Sequence, residues 1–166
     1  MRTYQRLCRE GGIYFFTVVT ADRWPCFAVA SHLQGLGNAL RRVRAGHPFE
    51  TQAIVVLPDH LHCIWQLPPG DSDFSLRWQL VKKHFANNLH TKRRIWQPRF
   101  WEHLIRDEDD MDRHMDYIHY NPVKHGLAAT PAEWPHSSFM RLVRVGMYPL
   151  DWGASAPSRI GGLDFE

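Results

Sequence analysis

The 166-residue chain alternates between short apolar runs and longer amphipathic stretches, and these two periods assign its elements. Ile13-Tyr14-Phe15-Phe16-Thr17-Val18-Val19-Thr20 is nearly continuous in β-branched and aromatic residues, which predicts a central strand covered on both faces. Asp22-Arg23-Trp24-Pro25 ends it. From His32 to Ala45, Leu33, Leu36, Leu40 and Val43 recur at helical spacing, with Ser31 as the expected N-cap and Gly46 as the stop. Phe49 to Leu57 and His60 to Leu67 read as two strands of one hairpin, joined at Pro58-Asp59. Beyond the break at Pro68-Pro69-Gly70-Asp71, Ser75 is expected to cap a helix running to Leu89. Leu76, Leu80 and Phe85 face inward on it, and Lys82 and Lys83 outward. Ile95 to Leu104 is a fourth extended segment, and its Pro98 points to a sheet edge or an irregular strand. The order β-α-β-β-α-β is the split βαβ arrangement of an α+β, ferredoxin-like fold.

One more helix follows. Asp107-Glu108-Asp109-Asp110 places carboxylates in its first turn, where they complement the helix dipole; they are read as solvated and not as metal ligands. Met111, Met115 and Ile118 form a stripe toward the core. His114, Tyr117 and Asn121 form a second stripe, roughly a quarter turn away at about 100° per residue. Pro122 comes next, and Lys124, His125 and Gly126 mark the end.

Composition narrows the class. The chain is 44% hydrophobic and 13% aromatic, with seven tryptophans, and is long enough to build one core without disulfides. Its formal charge of +3 and pI near 8.9 permit an anionic partner without requiring one. Cys8, Cys26 and Cys63 are odd in number, widely spaced and without a Cys-x-x-Cys pair, which argues against a zinc finger or disulfide framework and fits a reducing cytoplasm. The first residues lack the apolar run of a signal peptide, and no stretch is long enough to span a bilayer. The basic cluster Arg41, Arg42 and Arg44 sits where a helix C-terminus favours cations.

The chemistry concentrates in Leu57-Pro58-Asp59-His60-Leu61-His62. Side chains alternate along a strand, so His60 and His62 project from one face with Leu61 behind them. Two readings stand: polar residues on a half-exposed strand, or half of a divalent-metal site. A tyrosine inside a helix is ordinarily packing. Tyr117, however, lies one turn before Asn121 on a helix that can cross the strands carrying both histidines.

With Leu57-Pro58-Asp59-His60-Leu61-His62, Trp96-Gln97-Pro98-Arg99-Phe100-Trp101-Glu102-His103 and Tyr120-Asn121-Pro122-Val123-Lys124-His125-Gly126 in view, the chain resembles the REP-associated tyrosine transposases. These belong to the single-tyrosine HUH superfamily of single-strand DNA transposases, and the resemblance runs from about Gly11 to Trp152. It implies a ferredoxin-like nuclease that cuts single-stranded DNA with Tyr117 as nucleophile, leaving a 5′-phosphotyrosine link and a free 3′-hydroxyl. His60 and His62 would hold Mg²⁺ or Mn²⁺, with Asn121 at the third-ligand position. Glu102 and His103 match family positions without an assigned role. Expected partners are single-stranded DNA and hairpins of repetitive extragenic palindromes, with no membrane, as monomer or homodimer, in the cytoplasm with the nucleoid. Candidate DNA contacts are Arg2, Arg6, Lys82, Lys83, Lys92, Arg93 and Arg94, about half of them an ordinary solvated surface.

Other classes make different demands. A non-catalytic ferredoxin-like RNA-binding module would carry an aromatic-Gly-rich motif on a central strand, and none is present. A histidine-triad phosphohydrolase needs a third strand histidine, and position 64 is Ile. A domesticated family member that binds hairpin DNA without cutting differs only in activity. Residues 1–152 form the expected domain and 153–166 a flexible tail, for which disorder is the default. At about 3.3 Å per extended residue that tail can still cross a small domain. It is expected to fold back near the DNA site and restrain activity.

Overall fold

Burial follows the period of each segment. In the computed structural model, which describes residues 7–166, β1 (Ile13–Val19) is covered on both sides, as its unbroken apolar run requires. It pairs with β3 (His60–Gln66) and with β4 (Trp101–Leu104), and β3 pairs in turn with β2 (Glu50–Val56). All pairings are antiparallel, in the order β2-β3-β1-β4. Two helices, α1 (Ala30–Gly46) and α2 (Phe74–Leu89), cover one face. The other face carries α3 (Glu108–Lys124) and the short α4 (Phe139–Arg144). This is the ferredoxin-like α+β architecture, with α3 as the added helix.

Period two divides the strands between two cores. Tyr14, Phe16, Val18, Leu61, Cys63 and Trp65 face α1 and α2, where they meet Leu36, Val43, Trp78, Val81 and Phe85. Phe15, Val55 and Ile64 face α3 and α4, against Met115, Ile118, Phe139 and Leu142. The register sets His60 opposite Val19, His62 opposite Thr17 and Ile64 opposite Phe15, so both histidines point toward α3.

Boundaries depart from the sequence reading in three places. Val29 rather than Ser31 precedes the first helix and supplies no side-chain cap. Asp73, not Ser75, caps α2, because its carboxylate accepts from the Leu76 N–H and starts the helix at Phe74. The fourth strand is confined to four residues. Upstream of it Trp96 makes only an isolated bridge to Thr20, and Pro98 has no N–H for a ladder.

Residues 153–166 fold back. Gly153 sits at φ 82°, and a Cβ there would stand 2.6 Å from Pro131 Cγ, so only glycine makes this turn. The following segment runs along α3. Arg159 Nη1 donates to Asp112 Oδ2 at 2.8 Å, and Ile160, Leu163 and Phe165 pack on the α3-side core. Arg2 and Arg6 lie outside the described residues. Among the described residues no helix is long and apolar enough to cross a membrane.

Candidate active site

The α3 face buries polar atoms that a core would ordinarily pair. His60 Nδ1 donates to Asp59 Oδ1 at 2.6 Å; the carboxylate only accepts, so Nε2 of His60 keeps its lone pair. His62 Nδ1 is held 2.8 Å from Thr17 Oγ1, its cross-strand neighbour. Both Nε2 atoms are buried and have no hydrogen-bond partner among the described residues. Burial, partly countered by Asp59, lowers the pKa of His60; burial, reinforced by His60, His125 and Lys124, lowers that of His62 much further. Two imidazoles held through Nδ1, each with a buried Nε2 that has no hydrogen-bond partner among the described residues, would suit a divalent metal.

Tyr117 reaches the same place from α3. Its ring centroid lies 5.2 Å from that of His62 in an edge-on arrangement, and the side chain is almost fully buried. Burial raises the phenol pKa, and Lys124 Nζ donates to Oη at 3.4 Å. One turn beyond Tyr117, Asn121 is fully buried, and both its amide atoms lack a hydrogen-bond partner among the described residues. An unmade hydrogen bond on a buried group costs about 1–3 kcal/mol, and among the described residues four such atoms fall together on His60, His62 and Asn121.

The chain's last side chain completes the arrangement. Glu166 Oε1 lies 2.6 Å from His125 Nε2, 3.3 Å from Lys124 Nζ, 3.3 Å from Tyr117 Oη and 4.0 Å from His60 Nε2. Burial would lift its pKa, but His125, Lys124 and His60 outweigh that and hold it low. His60, His62 and Glu166 each present a ligand atom within 4.8 Å of the other two. Donors at that spacing suit one divalent ion with bonds of about 2.0–2.3 Å. Nitrogen and oxygen donors together fit Mn²⁺ at least as well as Mg²⁺.

A second cluster adjoins the first. His103 Nε2 lies 2.8 Å from Asp110 Oδ2, and His114 Nδ1 donates to the Asp110 carbonyl at 2.7 Å. Asp110 also accepts the Arg106 backbone N–H at 3.0 Å, so its carboxylate is already well satisfied. Glu102, next to His103, faces the other core with Phe16.

The predicted DNA contacts are spread out. Lys83, Lys92, Arg93 and Arg94 are exposed, and Arg93 lies over the Trp24 ring at 4.8 Å. Lys82 is half-buried, donates to the Gln97 carbonyl at 3.0 Å and sits by the Trp96 and Phe100 rings; burial lowers its pKa to about 8. The loop holding Lys92, Arg93 and Arg94 joins the sheet at the end carrying His60: the Ala21 N–H donates to Ile95 and the Gln97 N–H to Val19.

Five residues at the site carried no role in the sequence reading. Lys124 had a signal, since it lies two helical turns after Tyr117 on the stripe of Asn121. Asp59 and His125 had only their places inside the quoted motifs. Thr17 depends on strand register, and Glu166 on the path of the tail.

No protein-family model matches the chain. Relatives do. A REP-associated tyrosine transposase of Escherichia coli K12 is 48% identical over 152 residues, covering 92% of this chain and 91% of that protein. A Haemophilus influenzae protein provisionally given the same name is 41% identical over 175 residues, covering 98% of this chain and 99% of its own. A solved REP-associated tyrosine transposase bound to a REP hairpin superposes with a TM-score of 0.88 at 46% identity, covering 95% of this chain and 94% of that one. Likeness of this extent, over a shared fold and nearly the full length of each chain, places the protein in the family of REP-associated tyrosine transposases.

Proposed function

We propose that this protein is a metal-dependent single-stranded DNA endonuclease and transposase. It would cleave and rejoin DNA at REP-type hairpins through a 5′-phosphotyrosine link on Tyr117. The observation that carries this reading is the meeting of Tyr117 with His62 and its neighbour His60, whose buried Nε2 atoms have no hydrogen-bond partner among the described residues. The relative solved with a REP hairpin supports the choice of DNA.

His60, His62 and Asn121 would hold Mg²⁺ or Mn²⁺. When bound, the ion polarises the scissile phosphate and offsets charge developing there. The protein's own residues supply the rest. The buried phenol is a poor nucleophile, its pKa raised by burial, and the Lys124 ammonium beside Oη stabilises the oxygen as its proton leaves. The Tyr117 Oη–phosphorus bond forms as the phosphorus–O3′ bond breaks, and the departing 3′-oxygen ends as a hydroxyl, so one proton passes overall from phenol to leaving group. Bond energy is retained in the phosphotyrosine, which allows resealing by the reverse attack. Glu166 stands within hydrogen-bonding reach of Tyr117, where the phosphate must come, so tail and DNA exclude one another there.

The test is incubation with 5′- and 3′-labelled hairpin oligonucleotides plus Mn²⁺. A covalent adduct carrying the 3′ label is expected with wild type and Tyr120→Phe, and none with Tyr117→Phe. An adduct that survives Tyr117→Phe and disappears in Tyr120→Phe reverses the assignment. Binding should weaken with salt, each neutralised phosphate adding about 0.7 to the slope.

A further inference from the structure

The last two residues of the tail end in a ring followed by an anion. Phe165 lies parallel to His114, with centroids 4.9 Å apart and planes inclined by 15°. His114 is stacked in turn on His103 at 4.6 Å and 12°. Phe15 closes the slot from the sheet, 5.2 Å from Phe165 and 4.8 Å from His114. The neighbouring Glu166 places its carboxylate among Tyr117, Lys124, His125 and His60, as described above. Adjacent residues therefore set a planar ring and a negative oxygen where one nucleotide would set a base and its phosphate.

His114 is built for this place. Its Nδ1 is fixed on the Asp110 carbonyl, and Asp110 bonds His103, so the two imidazoles are locked as a flat pair. Nε2 of His114 is buried without a partner among the described residues, although a purely structural stack has no need of a polar ring. A base edge carries donors and acceptors that could meet it. Phe165 and Glu166 also line a cavity of about 630 Å³ whose other walls include Thr17 and, from the segment that leads into β4, Gln97, Arg99, Phe100 and Trp101.

We propose that His114, backed by His103 and edged by Phe15, is a stacking slot for one unpaired base flanking the scissile phosphate, and that Phe165 fills it in the free protein. This rests on the single-stranded DNA reading above and adds a subsite to it. Stacking on a rigid ring tolerates any base, because every base has a π-face, so the slot would locate the strand without reading its sequence. Phe165 and the base compete for the same ring.

The test uses the full-length protein in EDTA, so that DNA is bound and not cut, with a hairpin oligonucleotide bearing single-stranded flanks. Each flank position is replaced in turn by an abasic site. Mn²⁺ reactions on the intact oligonucleotide locate the cut. For Phe165→Ala, an abasic site at one position next to the cut should weaken binding about tenfold, within the range that base–aromatic stacking supplies. His114→Phe should keep that sensitivity, whereas His114→Ala should bind intact and abasic DNA alike. Because a substitution at buried His114 can disturb folding, the abasic scan on Phe165→Ala is the deciding measurement. Equal affinity at all flank positions overturns the slot, even if the Tyr117 adduct forms and the proposed activity stands. Failure to bind the hairpin at all overturns both.

Discussion

The two faces of the sheet use the same strands for opposite purposes. Toward α1 and α2, β3 sends Leu61, Cys63 and Trp65; toward α3 it sends His60, His62 and Ile64. On the first face Trp65 stacks on Trp78 with centroids 4.2 Å apart, and Phe49 lies on its other side at 4.1 Å. Indole N–H groups of Trp65, Trp78 and Trp96 have no partner there among the described residues, but each is a single donor on a large apolar ring with no lone pair to offer. On the second face the atoms without a partner among the described residues include His60 Nε2, His62 Nε2 and Asn121 Oδ1, all of atom types that can offer a lone pair. One face makes the fold stable, and the other spends part of that stability on keeping buried polar atoms oriented where the proposed metal would bind.

Substitutions can break this division. The largest effect belongs to the site face: His60→Ala with His62→Ala should remove the covalent adduct altogether while leaving much of the salt-dependent binding. Asn121→Ala should be milder, because water can replace one neutral ligand. Adduct formed at the wild-type rate by the double variant would end the metal reading.

The opposite face should respond in stability. Trp78→Ala leaves a large cavity under the sheet and should cost about 3–5 kcal/mol in urea denaturation, with adduct yield per folded molecule nearly unchanged. Lost activity at unchanged stability would show that the faces are not separate in function.

Acid should weaken the α3 side. His119 Nε2 lies 2.8 Å from Ser138 Oγ, and burial lowers the His119 pKa from 6.5 to about 4. Between those values the unfolded chain takes a proton that the folded chain refuses, so stability falls as pH drops from 6.5 toward 4. The full extent is about 3 kcal/mol. His119→Gln should flatten the pH dependence of the denaturation midpoint over this window; an unaltered slope would assign it to other groups.

The smallest effect concerns the tail. Glu166→Gln keeps shape while removing the charge that faces His125, Lys124 and His60, and should raise the cleavage rate severalfold. A rate equal to wild type would leave the tail a packed end with no restraining role.

Much of this was written in the chain. The unbroken apolar run at 13–20 fixed the central strand, since only a strand buried on both faces tolerates it. The His-x-His spacing put His60 and His62 on one side, and the one-turn spacing of Tyr117 and Asn121 put those two on one stripe, because strand and helix periods are local properties of the backbone. The first two helices start two residues earlier than expected, and for α2 the reason is that Asp73 caps in place of Ser75. Tertiary structure decided what local periods cannot express. The β1–β3 register set Thr17 against His62. The docking of α3 brought Tyr117 to the histidines. The turn at Gly153, forced by its approach to Pro131, carried Phe165 and Glu166 into the site, because contacts between residues far apart in sequence depend on how whole elements pack.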